Sequence, residues 1–357
     1  MITRGHDGIL PRTTTLADES YLDFVESFRG MNFTAMYPVF SETADTEMKE
    51  KIGAVDSSVK LSTIREVVGA LPITQVWQRF MRSHQEMMWR RTRESFAINE
   101  KELLAELDAA EKQGPGQLIY DPNFHVPDYT RMEIHLQPGG YTDDPLGGIV
   151  FHYGGKVFYQ GMDNQNEHHI EFVELCKVPE DSKIDKVLDL ACSLGQCTTN
   201  LKKRFPDSEV WGLDVALPLL RYAHKCAVDE GVDVNFIQGL SEDTKFKDGE
   251  FDMVLAYILF HEVPVKVMKQ TIKEVFRILR PGGVFNIFEF PNASQELLPS
   301  ERYLIDYDSR NNCEPYSPAF VNSDFRQIII DAGFTIEDGG TSTNPFLQSI
   351  VATKPNT

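Results

Sequence analysis

No apolar run in this chain reaches the length needed to span a bilayer. The first residues, MITRGHDGILPRTTTLADES, lack the apolar core of a secretory leader. Cysteine is sparse: five residues, an odd number, with no CxxC pairing, which fits a reduced, cytoplasmic compartment. Positive charge is also short. There are 35 Lys and Arg against 54 Asp and Glu, a net charge of -19, and no basic stripe, so a polyanion is repelled and nucleic acid is an unfavourable partner. The one basic cluster, WRRTRE at Trp89 to Glu94, reads as a solvated helix face. Metal-ligand spacing is missing too. His125, His135 and His152 are too far apart in sequence, and the adjacent His168 and His169 would point apart on a helix. These absences leave a small-molecule enzyme, with no membrane, nucleic-acid or metal partner.

What is present divides by texture. Residues 1 to about 20 are polar, Thr-rich and expected to be loose. From Tyr21 to about Lys112 the pattern is helical, with Val76, Phe80, Met87 and Met88 at helical spacing, a break expected at Pro72, and a stop at QGPGQ. We take 1–116 as a helical N-terminal region. Residues 117–182 form a Gly- and Tyr-rich platform and a linker helix, the platform read as strand-like pieces between Gly-Gly turns. From 183 to 357 five short apolar runs (KVLDLA, SEVWGLD, VNFIQG, FDMVLAY, GVFNIFEF) alternate with helical patterns, which predicts an α/β domain with a parallel sheet covered on both faces. Past Phe290 an irregular stretch of roughly 30 residues follows, then a helix and two last strands around Phe334 and Leu347.

The chemistry concentrates in VLDLACSLGQ. The first strand ends in a turn of small residues, with a helix behind it. That arrangement sets backbone N–H groups and a helix N-terminus at the carboxyl edge of the sheet, where ligands bind. Nineteen residues after Gly195 stands Asp214, at the end of the second strand, where an acid reaches ribose hydroxyls. The turn lacks the G-x-G-x-x-G spacing of a pyrophosphate site. Asp189 at its entrance would repel a pyrophosphate and favour a cationic tail.

At this point the chain resembles the class I S-adenosylmethionine-dependent methyltransferases, small-molecule type. VLDLACSLGQCT is similar to their first motif, D-x-G-x-G-x-G, with Ala191 and Ser193 in place of the first two glycines. Asp214, GLSEDTKFKDGEFDMV, ILFHEV and RILRPGG follow in the family's order over residues 183 to 290. The resemblance implies a Rossmann-like, doubly wound sheet of seven strands with the last antiparallel. It implies S-adenosylmethionine as cofactor and S-adenosylhomocysteine as product. The turn, with Asp189, Ala191, Cys192, Ser193 and Gly195, would hold the amino-acid tail. Asp214 would bind the ribose and Val215 would pack on the adenine. Leu240 stands where many members carry an Asp, so Ser241 or Glu242 would face the adenine amino edge. Tyr257 would lie near the sulfonium.

For catalysis, His261 in LFHEV is the best-placed general base; the alternative is a hydrogen bond to backbone. Tyr153, Tyr159 and Gly161 are placed to close over the cofactor, or to pack an interdomain seam. Tyr303, Tyr307 and Tyr316 are candidates to line the acceptor pocket, with a solvated loop as the alternative. Cys192 and Cys197 read as space-fillers. The expected reaction moves a methyl group to O, N or S of a small organic acceptor, with the N-terminal region as a roof and a homodimer contact. Two readings stay open: a non-methylating rearrangement on the same cofactor, and methylation of a protein.

Overall fold

The structure is a computed structural model and describes residues 4–56, 58–292, 297–343 and 347–356; the first three residues of the polar N-terminal stretch and 293–296 of the irregular stretch lie outside the described residues. The start of the chain is ordered by a short antiparallel pair, β1 (His6–Asp7) with β2 (Leu10–Pro11). Five helices follow: α1 (Leu16–Met31), α2 (Tyr37–Ile52), α3 (Leu61–Gly69), α4 (Pro72–Ala97) and α5 (Glu100–Ala110). The Thr15 hydroxyl caps α1 by accepting from the Asp18 N–H, and Asp18 and Glu19 suit the positive end of the helix dipole.

Pro72 does not break a helix; it opens one. At the first position of α4 it forfeits an N–H that has no intrahelical partner anyway. The buried face of α4 is also turned from the expected one. Trp77, Met81, Met88 and Trp89 point inward, whereas Val76 is exposed.

The platform carries β3 (Gln117–Ile119), then single turns and a helix, α6 (Gly147–Phe158), followed by the linker helix α7 (Glu167–Leu175). The glycines of α6 were expected to turn the chain and instead let helices touch. A Cβ on Gly148 would lie 2.3 Å from Tyr222 Cβ, and one on Gly154 would lie 2.0 Å from Trp89 Cζ3.

The rest alternates: β4 (Lys186–Leu190), α8 (Gln196–Arg204), β5 (Glu209–Asp214), α9 (Leu217–Glu230), β6 (Asn235–Gln238), β7 (Phe251–Tyr257), α10 (Val265–Ile278) and β8 (Leu279–Glu289). Where an irregular stretch was expected past Phe290, two helices stand, α11 (Pro299–Asn311) and α12 (Ser317–Val321), and the expected helix, α13 (Phe325–Asp331), follows them. The chain closes with β9 (Thr335–Asp338) and β10 (Gln348–Thr353).

The strands form one sheet in the order β3-β6-β5-β4-β7-β8-β10-β9, parallel from β3 through β8, with β10 antiparallel to both its neighbours. Seven of the eight are the expected strands, the last in chain order reversed; β3 adds an edge strand from the platform. Alternate residues of β4 serve opposite faces. Leu188 joins Met268, Ile272 and Val275 of α10, and Val187 joins Phe172 of α7 and Leu201 of α8.

Of two further cores, one joins the helical cap to the β4–α8 turn and α9, and the other lies within the cap. Met88, Trp89 and Val150 pack with Leu194 and Leu219, while Phe40 and Trp77 pack with Tyr303 and Tyr307 of α11. Across these stretches of chain, β3 pairs with β6 in the sheet and α11 packs with the cap helices α2, α3 and α4.

Candidate active site at the carboxyl edge of the sheet

The chain leaves β4 through a turn in which Ala191, Ser193 and Gly195 have φ of 59°, 50° and 69°. An L-residue in the left-handed region costs roughly 1–2 kcal/mol, so the first two positions hold backbone strain that the surroundings must over-determine. They do. The Ser193 N–H donates to Asp214 Oδ2 at 2.9 Å, the Cys192 N–H to the Leu213 carbonyl at 3.0 Å, and the Gly195 N–H to the Cys192 carbonyl at 2.8 Å. At Gly195 no side chain fits, because a Cβ would lie 2.6 Å from Phe236 Cζ.

Asp214 thus does structural work with one oxygen, while Oδ1 accepts from the Ala216 N–H at 2.8 Å. Burial raises its pKa to about 6, against these backbone donors. Asp189 is buried beneath the turn and accepts from the Thr198 hydroxyl at 2.6 Å; burial lifts it to about 7. A buried acid held that far above its ordinary range is suited to a cation nearby.

The turn opens into a cavity of about 610 Å³ that reaches across to α1, α4, α6 and α11. Its size is that of a small-ligand site. Asp189, Ala191, Cys192, Ser193, Asp214, Val215, Ser241 and Tyr257 line it, and so do Tyr159, Tyr307 and His261. Tyr159 and Tyr257 meet there with hydroxyls 3.2 Å apart; burial raises the Tyr159 pKa to about 12 and that of Tyr257 further, so both are neutral phenols. Cys192 and Cys197 line the turn as thiols, since burial pushes both well up.

Four expectations are corrected. Tyr153 faces away from the cavity, 1 % exposed, with its ring edge-to-face on Phe96. Tyr316 and Tyr303 are not in the lining: Tyr316 donates to the Tyr129 carbonyl at 3.4 Å, and Tyr303 packs on Phe40. Glu242 is withdrawn from the adenine edge because it accepts from the Tyr129 hydroxyl at 2.7 Å. His261 pairs with a carboxylate, not with backbone. Its Nδ1 lies 2.8 Å from Glu289 Oε1; burial pulls its pKa down, yet the Glu289 charge and hydrogen bond outweigh that and bring it to about 9.

Sequence reasoning missed the far wall. His135 has φ of 56°, and its carbonyl accepts from Trp89 Nε1 at 2.7 Å and Gln85 Nε2 at 2.9 Å. So held, its ring sits 3.0 Å from Glu314 and 3.7 Å from Glu262; burial opposes the charge, but the two carboxylates lift its pKa to about 10. Tyr141 donates to Glu262 at 3.3 Å. Arg29 and Asp308 complete the wall. No spacing signal marks these residues, because they come from four separate segments.

A family profile described as a methyltransferase domain matches residues 187–283. An uncharacterised methyltransferase of Synechocystis sp. is 31% identical over 153 residues, covering 42% of this chain and 67% of that protein. The chain belongs to the class I S-adenosylmethionine-dependent methyltransferases. The demethylmenaquinone methyltransferase of Thermus thermophilus is 35% identical to this methyltransferase over 106 residues, 30% of this chain and 47% of that one. Sterol 24-C-methyltransferase erg6 of Aspergillus fumigatus is 32% identical over 149 residues, but the match covers 37% of its length. The match thus spans about half or less of these last two proteins. Among solved structures, an O-methyltransferase family protein from Burkholderia thailandensis aligns with a TM-score of 0.46 at 17% identity, covering 57% of this chain and 60% of that one.

The residues present fit the cofactor. The left-handed turn exposes backbone at the sheet edge, Asp214 ends the second strand, and Asp189 is a buried acid suited to a cation. The described residues hold no group of acids, His and Cys arranged for a metal. None of the described helices is long and apolar enough to cross a membrane.

Proposed function

We propose that this methyltransferase moves a methyl group from S-adenosylmethionine to a small, lipophilic organic acceptor enclosed between the helical cap and the sheet. The observation that carries this is the single cavity running from the β4–α8 turn to an aromatic and apolar wall built by Phe33, Met81, Phe151 and Leu304. An enclosed chamber suits a small molecule better than a peptide or polyanion. The expected acceptor atom is O, N or S. Carbon joins them, because relatives are named as acting at carbon of sterols and of a quinone precursor, and another as a fatty-acid O-methyltransferase.

The cofactor supplies an electrophilic methyl on a sulfonium that is already a good leaving group. The chain's own part is positioning. The Ala191–Gly195 turn and Asp189 hold the amino-acid end, Asp214 the ribose, and Val215 and Ser241 the adenine, with Leu240 beside it. Tyr257 and Tyr159, whose hydroxyls meet in the cavity, would stand beside the reacting methyl and help to exclude water there. His261 lines the same cavity with its ring fixed by Glu289.

The test is methyl-labelled cofactor offered with naphthoquinols, sterols, fatty acids and a basic peptide. Label in the organic extract, matched by S-adenosylhomocysteine release, supports the proposal. Label in the peptide alone would place the chain among protein methyltransferases. An acceptor rearranged without S-adenosylhomocysteine release would mean a non-methylating reaction.

A further inference from the structure

We propose that Arg29 is a seat for a carboxylate, or an equivalent oxyanion, of a ligand in the cavity, and that the acceptor is the ligand that brings it. This rests on the small-acceptor reading above and narrows it to an acid.

Arg29 stands in the last turn of α1, 4 % exposed, and lines the cavity. Its guanidinium is fixed between two rings, with Cζ 4.0 Å from the Phe158 centroid and 4.9 Å from that of Phe33. Nε donates to the Phe158 carbonyl at 2.8 Å; Nη1 donates to Gln85 Oε1 at 3.0 Å and lies 3.3 Å from His84 Nδ1. All three partners are uncharged: burial, then the Arg29 charge, drives His84 down to about 2. Among the described residues Nη2 has no hydrogen-bond partner, and no carboxylate lies within ion-pair distance of the group.

The wall's other cationic groups each have a carboxylate partner. His261 has Glu289, and His135 has Glu314 and Glu262. Asp308 is an acid on the same wall. It lines the cavity with no side-chain hydrogen bond among the described residues, and burial pushes it well toward the neutral acid. Its charge reaches Arg29 only at a distance. A cation taken out of water therefore has one donor edge left over and no neutralising neighbour in contact, which is costly unless a ligand answers it. The guanidinium's planar donors match a carboxylate. Because rings and hydrogen bonds already fix it, little ordering remains to be lost on binding.

The cofactor also carries a carboxylate. Arg29 shares Gln85 with the His135 carbonyl, and the Phe158 ring it stacks on lies 5.5 Å from the His135 ring, whereas Asp189 in the cofactor turn is held by Thr198 of α8. Arg29 thus faces the far end of the cavity, and we assign it to the acceptor.

The test titrates protein saturated with S-adenosylhomocysteine with β-naphthoate and with its uncharged amide, β-naphthamide. Wild type, Arg29→Gln and Arg29→Lys are compared. S-adenosylhomocysteine and methylthioadenosine, which lacks the carboxylate, are titrated separately into each free protein. The expected result is naphthoate binding about tenfold or more tighter than the amide in wild type. That preference is lost in Arg29→Gln and partly kept in Arg29→Lys, with S-adenosylhomocysteine affinity unchanged. No preference in wild type, or a preference that survives Arg29→Gln, overturns the acceptor assignment. If Arg29→Gln instead weakens S-adenosylhomocysteine but not methylthioadenosine, the seat serves the cofactor and the acceptor assignment falls. Wild type that binds no S-adenosylhomocysteine would bring down the assigned cofactor site, a separate failure.

Discussion

Asp189 and Asp214 are acids whose burial keeps them near the point of ionisation, at about 7 and about 6. A cationic, hydroxyl-rich ligand beside them binds their ionised forms better. Cofactor affinity should accordingly rise with pH through that window and level off above it. At the acid side the fall should approach about tenfold per pH unit for each group titrated. Calorimetry across about pH 5 to 8 checks this. His261 behaves oppositely. Its folded pKa, about 9, lies above the ordinary 6.5, so the pairing with Glu289 stabilises the fold fully below about 6.5 and is lost as pH rises through 9. The difference corresponds to on the order of 3 kcal/mol. Urea titrations at about pH 6 and pH 9.5 should show wild type losing more stability than Glu289→Gln over that interval. Equal losses would mean that the pair carries no charge.

At the scale of elements, the strands and the helices α8, α9 and α10 are legible because apolar residues alternate or recur every third or fourth position. The first motif and Asp214 are legible because one turn chemistry demands small residues and one acid at a fixed distance. Helix α6 was not legible. Gly147, Gly148 and Gly154 signal turns locally, and only the partner helices reveal that their missing side chains make room for Tyr222 and Trp89. Gly154→Ala should therefore destabilise the protein by about 1–3 kcal/mol through overpacking against Trp89, read as a lowered melting temperature. Gly155, whose Cβ would meet nothing within 4 Å, is the control and should tolerate Ala. Helix α11 was hidden for a related reason. Its Pro, Ser, Asp and Asn residues read as a loop, while Tyr303 and Tyr307 are anchored on Phe40 and Trp77, far away in sequence. The wall made by Arg29, His135, Asp308 and Glu314 escaped notice on the same principle: tertiary contact, not spacing, brings these groups together.

Over the whole molecule, the cap shares a core with the β4–α8 turn and α9, so the two cannot part there without exposing apolar surface. Cap and sheet should unfold as one unit, with fluorescence and far-ultraviolet melts coinciding; two separated transitions would show that the roof folds by itself. One cavity brings turn and wall together, and that is the central claim. Its most direct test is calorimetric titration of S-adenosylhomocysteine into wild type and Asp214→Asn. The account expects one site per chain in wild type, and a loss of about tenfold to a hundredfold when the charged acceptor for the ribose hydroxyls is replaced. Unchanged affinity in Asp214→Asn would contradict it and place the nucleoside elsewhere.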